Sequence, residues 1–150
     1  MDIKSKEERS RNMAKIKARD TKQEVFIRSL LHRSGFRFRV ADAHVFGKPD
    51  LYFSKKRVAV FVHGCYWHRH TDCKYAYTPK SNIGFWQKKF DANVARDKTV
   101  KSYLLASGIR VLVVWECTVE KMMHNEEIAK KLLAKITDFL LMSEINYLEL

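Results

Sequence analysis

The chain has 150 residues, enough for one domain that buries a hydrophobic core without disulfide staples. Its formal net charge of +12 favours a polyanionic partner, with nucleic acid ahead of an anionic membrane surface, because no amphipathic basic stretch is coupled to a lipid-anchor motif. A membrane span is excluded by the lack of any apolar run of about 20 residues, and the charged start MDIKSKEERS lacks the apolar core of a secretory signal.

A cytosolic chain is therefore expected, and its three cysteines suit metal or redox chemistry better than disulfides. The positive field is uneven: residues 116–150 carry 4 Lys and Arg against 7 Asp and Glu, so the first three quarters hold the excess. Residues 1–20 alternate charge without a solid apolar face. They read as an arm or a marginal helix, either a frayed terminus or a basic arm that orders on a phosphate backbone with Met13 as an apolar wedge. The remainder, 21–150, reads as a single domain.

Thr21-Lys22-Gln23-Glu24 has the capping-box form and opens a helix with Ile27, Leu30 and Leu31 on its apolar face, ended by Gly35. Glu24 has a plain role as capping partner, yet Glu24, Ile27 and Leu31 share one face, which sets the carboxylate at the edge of the buried side. Phe36 to Val40 alternates apolar and basic residues as a half-buried strand does. Pro49 starts the next strand, through Phe53, and biases Lys48 towards extended geometry. Ser54-Lys55-Lys56 turns the chain into a run of apolar, β-branched residues, Val58 to Val62, that ends at His63-Gly64. Asp50 and His63 then meet at one end of a hairpin, where a carboxylate and an imidazole suit metal or acid–base chemistry; alone, Asp50 would simply be a solvated strand end.

Cys65, Tyr66, Trp67, His68, His70 and Cys73 follow within nine residues of that strand. After a polar loop, Gly84-Phe85-Trp86 leads into a long helix with Phe90, Val94 and Leu104 inward, ending near Gly108. Ile109 to Trp115 is a second buried strand. A strand–helix–strand crossover makes the two buried strands parallel, so Cys117 emerges beside Cys65. Cys65, His70, Cys73 and Cys117 then form a Cys3His set of the kind that holds a closed structural zinc, although spacing alone lets His68 take the histidine's place. The catalytic candidates are Asp50, His63, the remaining histidine and Glu24. With the positive charge to hold phosphates, they suit a Mg²⁺-dependent phosphodiesterase. Tyr66, Trp67 and Trp86 either cover the cysteine loop or stack on and between bases. A last helix over about 126–142 carries Ile128, Leu132, Ile136 and Leu140 at packing distance and no chemistry.

The order αβββαβ, together with RSRNM at 9–13, DTKQE at 20–24, GKPD at 47–50, FVHGCYWH at 61–68, FW at 85–86, NVARD at 93–97 and VVWEC at 113–117, resembles the very short patch repair (Vsr) DNA mismatch endonucleases. The resemblance spans roughly residues 8–118. It implies a restriction-endonuclease-like α/β fold with a mixed sheet and a structural zinc site, and Mg²⁺-dependent nicking of one strand 5′ to the thymine of a T:G mismatch left by deamination of 5-methylcytosine. It implies Mg²⁺ on Asp50 and the Val62 carbonyl, His68 as base, His63 on the phosphate, and Glu24 as support. Zinc would sit on Cys65, His70, Cys73 and Cys117, and Tyr66, Trp67, Trp86 and Met13 would wedge into the duplex. A monomer at the bacterial nucleoid, in the cytoplasm, fits a reaction that needs one active centre. The chain departs from the wider fold in lacking the usual Glu-x-Lys pair, whose place is taken by Phe61-Val62-His63, and Val62 stands where a hydroxyl residue is common. The spacer before Cys73 is one residue longer, and Tyr66 replaces a phenylalanine. The competing readings are a restriction-type nuclease acting on matched DNA and a zinc-stapled DNA-binding module without catalysis.

Overall fold

The computed structural model describes residues 20–141 and 144–150; Met13 and all but the last residue of the expected arm lie outside them. Thr21 caps the first helix, α1 (Lys22–Arg33), by accepting the Glu24 N–H at 3.2 Å. The Glu24 carboxylate reaches back to the N–H of Asp20 at 2.8 Å, one residue beyond the usual reciprocal partner. Three antiparallel strands follow: β1 (Arg39–Val40), β2 (Leu51–Phe53) and β3 (Val58–His63). A 24-residue helix, α2 (Ile83–Ala106), crosses to β4 (Arg110–Trp115), which pairs in parallel with β3 from Val58↔Arg110 to His63↔Trp115.

The αβββαβ order expected from the sequence is thus present, in a mixed sheet. It continues further than expected. The chain turns from Trp115 directly into a short helix, α3 (Glu116–His124), then into α4 (Glu126–Leu141), whose first N–H groups are capped by Asn125. A fifth strand, β5 (Tyr147–Glu149), joins β4 in parallel, giving the sheet order β1-β2-β3-β4-β5.

Alternation along the strands gives the sheet two different faces. Leu51, Phe53, Val58, Val60, Leu112 and Val114 pack against α1, α3 and α4 through Ile27, Leu31, Val119, Met122, Ile136 and Phe139. Ala59, Val111, Val113 and Trp115 turn the other way, towards Val100 and Leu104 of α2. The first face is sealed by three helices. The second is covered by one, and α2 leaves the carboxyl ends of β3 and β4 open. That opening is the cleft described below.

Three local expectations are corrected. Only Arg39 and Val40 of the 36–40 stretch pair as a strand, although Phe36 and Phe38 do turn inward, their rings 6.1 and 5.6 Å from Phe53. Val94 is exposed rather than buried and forms part of the cleft wall, where Val100 packs in its stead. Lys48 is not extended: its φ is 49°, because a turn bonds its N–H to the Val45 carbonyl at 2.9 Å. The preceding Gly47 also has positive φ, 82°, and sits so close to Val100 that a Cβ there would overlap the valine side chain. This close approach seats the Lys48 loop on α2 at the rim of the cleft.

Candidate active site and metal centre

The cleft has a volume of about 980 Å³ and runs from α1 across the ends of β2, β3 and β4 to α2 and β5. Asp50 stands just before β2, beyond the last β2–β3 pair, Leu51↔Val60. Its carboxylate takes over as partner for β3 and accepts the Val62 N–H at 2.6 Å. Burial pushes the Asp50 carboxyl up to about 7; the Val62 N–H opposes this, and the charge of Glu24, which lines the same cleft, adds to it. Near neutral pH this carboxyl is therefore only partly ionised, and a cation beside it would favour the ionised form.

His63 and His68 are stacked, with ring centroids 4.0 Å apart and planes within 4°. Removal from water, with His68 adding to it, pulls the His63 pKa down to about 3, so His63 is neutral at physiological pH. His68 Nδ1 lies 2.7 Å from Asp97 Oδ2 of α2. The acceptor fixes the proton on Nδ1 and leaves Nε2 free to accept one. The ligating atoms of His63, His68 and Asp97 all lie within 4.8 Å of one another. Asp97 was not singled out from the sequence. It sits within the NVARD stretch, on a helix face shared with Asn93, whose side chain donates to the Trp67 carbonyl at 3.0 Å; this i, i+4 polar pair is the only trace of it in the sequence.

A second cluster lies on the other side of Trp115. The ligating atoms of Cys65, His70, Cys73 and Cys117 also fall within 4.8 Å of one another. His70 Nδ1 is 3.5 Å from Cys65 Sγ and 3.4 Å from Cys117 Sγ, against roughly 3.5 Å for a tetrahedral ion with bonds of about 2.3 and 2.0 Å. Cys65 is completely buried, and burial pushes its thiol well up. Cys73 behaves oppositely: burial works against ionisation, but the N–H groups of Tyr75 and Ala76 and the neighbouring thiols bring it below the usual range. His70 is the histidine that joins the cysteines, while His68 points to Asp97. The donor set fits a thiophilic, four-coordinate ion.

Between the two clusters the chain carries Tyr66 and Trp67, both half-buried. Tyr66 is edge-on to Trp67 at 5.0 Å, and Trp67 meets Trp86 at 5.8 Å, so all three sequence candidates lie in one cluster. Phe90 underpins it, with Arg69 over its ring at 4.0 Å. Lys48, Lys89, Arg96, Lys98 and Lys101 ring the cleft.

A sheet whose strand ends bring a half-buried carboxylate, a carboxylate-oriented imidazole and a lysine rim into one cleft has the chemistry of a hydrolytic nuclease, one that activates water against a phosphodiester. The model of the DNA mismatch endonuclease Vsr family matches residues 1–75. Among relatives, the type II nicking enzyme V.NmeAIP of Neisseria meningitidis serogroup A is 39% identical over 137 residues, covering 91% of this chain and 97% of its own. The DNA mismatch endonuclease Vsr of Escherichia coli K12 is 42% identical over 118 residues, 79% of this chain and 75% of its own. The nicking enzyme V.XorIIP of Xanthomonas oryzae is 42% identical over 113 residues, 75% and 82%. The chain belongs to the Vsr family: it is a DNA mismatch endonuclease, which hydrolyses phosphodiester bonds of DNA. No helix among the described residues is long and apolar enough to cross a membrane.

Proposed function

We propose that this endonuclease nicks a single strand 5′ to the thymine of a T:G mismatch and so starts very short patch repair of deaminated 5-methylcytosine. The observation that carries the reading is the run His63 to His70, in which residues of the hydrolytic cluster, two duplex-probing aromatics and a metal-cluster histidine follow one another without a break. Cutting and probing are thereby held at a fixed offset. Inserting Tyr66, Trp67 and Trp86 between base pairs costs a few kcal/mol of unstacking, and least at a mismatch. Met13, on the basic arm of residues 1–20, would approach the same step; residues 21–150 are the nuclease domain, of restriction-endonuclease-like type.

Mg²⁺ suits Asp50 and the Val62 carbonyl, since the carboxylate is half-buried, partly stripped of water and repelled by Glu24, all of which a cation offsets. The carbonyl leaves β3 on the same side as the N–H that Asp50 accepts. Bound there, Mg²⁺ would polarise the phosphate and lower the pKa of the attacking water. His68 takes the water's proton at Nε2, and Asp97 steadies the imidazolium that results. His63, held neutral, offers a hydrogen bond to the phosphate without adding charge. Glu24 tightens the cation's hold by its charge. Zn²⁺ on Cys65, His70, Cys73 and Cys117 would staple the aromatic loop to α3 and take no part in hydrolysis.

End-labelled duplexes that differ only in T:G against C:G test this, with Mg²⁺ and with chelator. A Mg²⁺-dependent cut 5′ to the mismatched thymine is expected, and Asp50→Ala should bind the duplex yet leave it whole. Equal cutting of matched DNA, or cutting that survives Asp50→Ala, overturns the reading.

A further inference from the structure

The indole of Trp115 forms the wall between the two clusters. It lies flat against His70, with centroids 4.1 Å apart and planes 7° apart, and edge-on to His63 at 5.3 Å and 71°. It is 7% exposed, and its one polar atom, Nε1, donates at 2.6 Å to Glu149 Oε1. Glu149 is on β5, opposite Val113 in the β4 register, and with Tyr147 it lines the cleft. The strand period of two puts Tyr147 and Glu149 on the cleft side, while Leu148 joins the opposite core. A tryptophan can fill much the same space with its ring turned over, and the two arrangements differ in where the N–H points. A single short acceptor at one position selects between them.

We propose that Glu149 is a positioning residue for phosphodiester hydrolysis: by accepting the Trp115 indole N–H it fixes the ring against which His63 and His70 rest. The proposal rests on hydrolysis at the Asp50–His68 end of the cleft. It extends the working site to the last strand of the sheet, which carries none of the motifs of the resemblance. Glu149 needs no contact with DNA for this role. Its effect is transmitted through Trp115, so it belongs in the rate of the chemical step rather than in affinity.

Single-turnover nicking at saturating T:G duplex is measured for wild type, Glu149→Ala, Glu149→Gln, Trp115→Phe and the double variant Glu149→Ala/Trp115→Phe. Duplex affinity and the indole N–H resonances of the ¹⁵N-labelled proteins are recorded alongside. Glu149→Ala and Trp115→Phe should each slow nicking about tenfold with affinity within about twofold. Glu149→Gln, whose amide oxygen still accepts, should stay within about threefold of wild type, and the double variant should be no slower than either single one. One indole N–H should lie far downfield in wild type, move upfield in Glu149→Ala and vanish in Trp115→Phe. Unchanged nicking in Glu149→Ala overturns the proposal, as does a loss confined to affinity or a full further loss in the Trp115→Phe background. If Glu149→Ala does not fold, Trp115→Phe decides alone, and a wild-type rate in it overturns the proposal. Wild type that cuts some other duplex instead removes the T:G reading only; the same series is then run on the duplex that is cut.

Discussion

The role proposed for His68 as base rests on a single neighbour. Asp97, 2.7 Å from Nδ1, favours the tautomer that keeps the proton there and leaves Nε2 able to accept one. Asp97→Asn should keep the fold and the duplex affinity and reduce the nicking rate on the order of 10²-fold, since an amide can present the wrong partner to the ring; single-turnover kinetics check it. Asp50 leads to a pH prediction. Its folded pKa, about 7, lies above the ordinary 3.8, so in the metal-free chain the carboxyl is largely protonated below pH 7 and its ionisation opposes folding as pH rises towards 7. On the proposal that Asp50 ligates Mg²⁺, binding should then release a proton below pH 7 and none well above it. Calorimetric titrations at pH 6 and pH 8, in buffers of different ionisation enthalpy, should show weaker binding with proton release only at the lower pH. That Asp50 and His63 share one cleft was legible because each stands at the end of a strand with a clear apolar signature, whereas His68 lies in the loop five residues beyond β3. Asp97 was not legible, because on a helix rich in exposed charge a polar pair such as Asn93 and Asp97 looks the same whether it faces a cleft or solvent.

At the level of elements, the parallel pairing of β3 and β4 does the most to assemble the molecule. It carries Cys117 to Cys65 across more than 50 positions of sequence, and the Cys117 N–H lies 3.4 Å from Cys65 Sγ. That convergence could be read in advance, since two buried strands joined by a helix must emerge at one edge. The helix α3 could not, because it starts at Glu116 without a polar cap and directly continues a strand. Nor could β5, whose three residues show too little alternation to be told from a tail. On the proposal that Cys65, His70, Cys73 and Cys117 hold zinc, Cys117→Ser should lower the zinc content and cost several kcal/mol of stability; elemental analysis and thermal melts with and without chelator measure both. Trp67→Ala should leave the melting temperature nearly unchanged and reduce the preference for T:G over matched duplex, with little loss of affinity for matched DNA. Equal losses on the two duplexes would remove the wedge.

For the molecule as a whole, the +12 charge and the lysine rim of the cleft make duplex binding an ion-exchange process. Affinity should fall linearly with salt on logarithmic axes. Deleting residues 1–20, which hold 7 Lys and Arg against 4 Asp and Glu, should make that slope shallower while the melting temperature of the remainder holds. Fluorescence anisotropy across a salt series separates the two contributions. The order in which the sheet is completed has a further consequence. β4, the most fully buried strand, has β3 on one side early in the chain, but its other edge waits for β5, which comes only after two helices. During synthesis the chain therefore passes through a stage in which a hydrophobic strand offers open backbone groups to any neighbour. Newly made chains of this endonuclease should need chaperone protection until Tyr147 to Glu149 have docked, and shortened versions should collect in inclusion bodies.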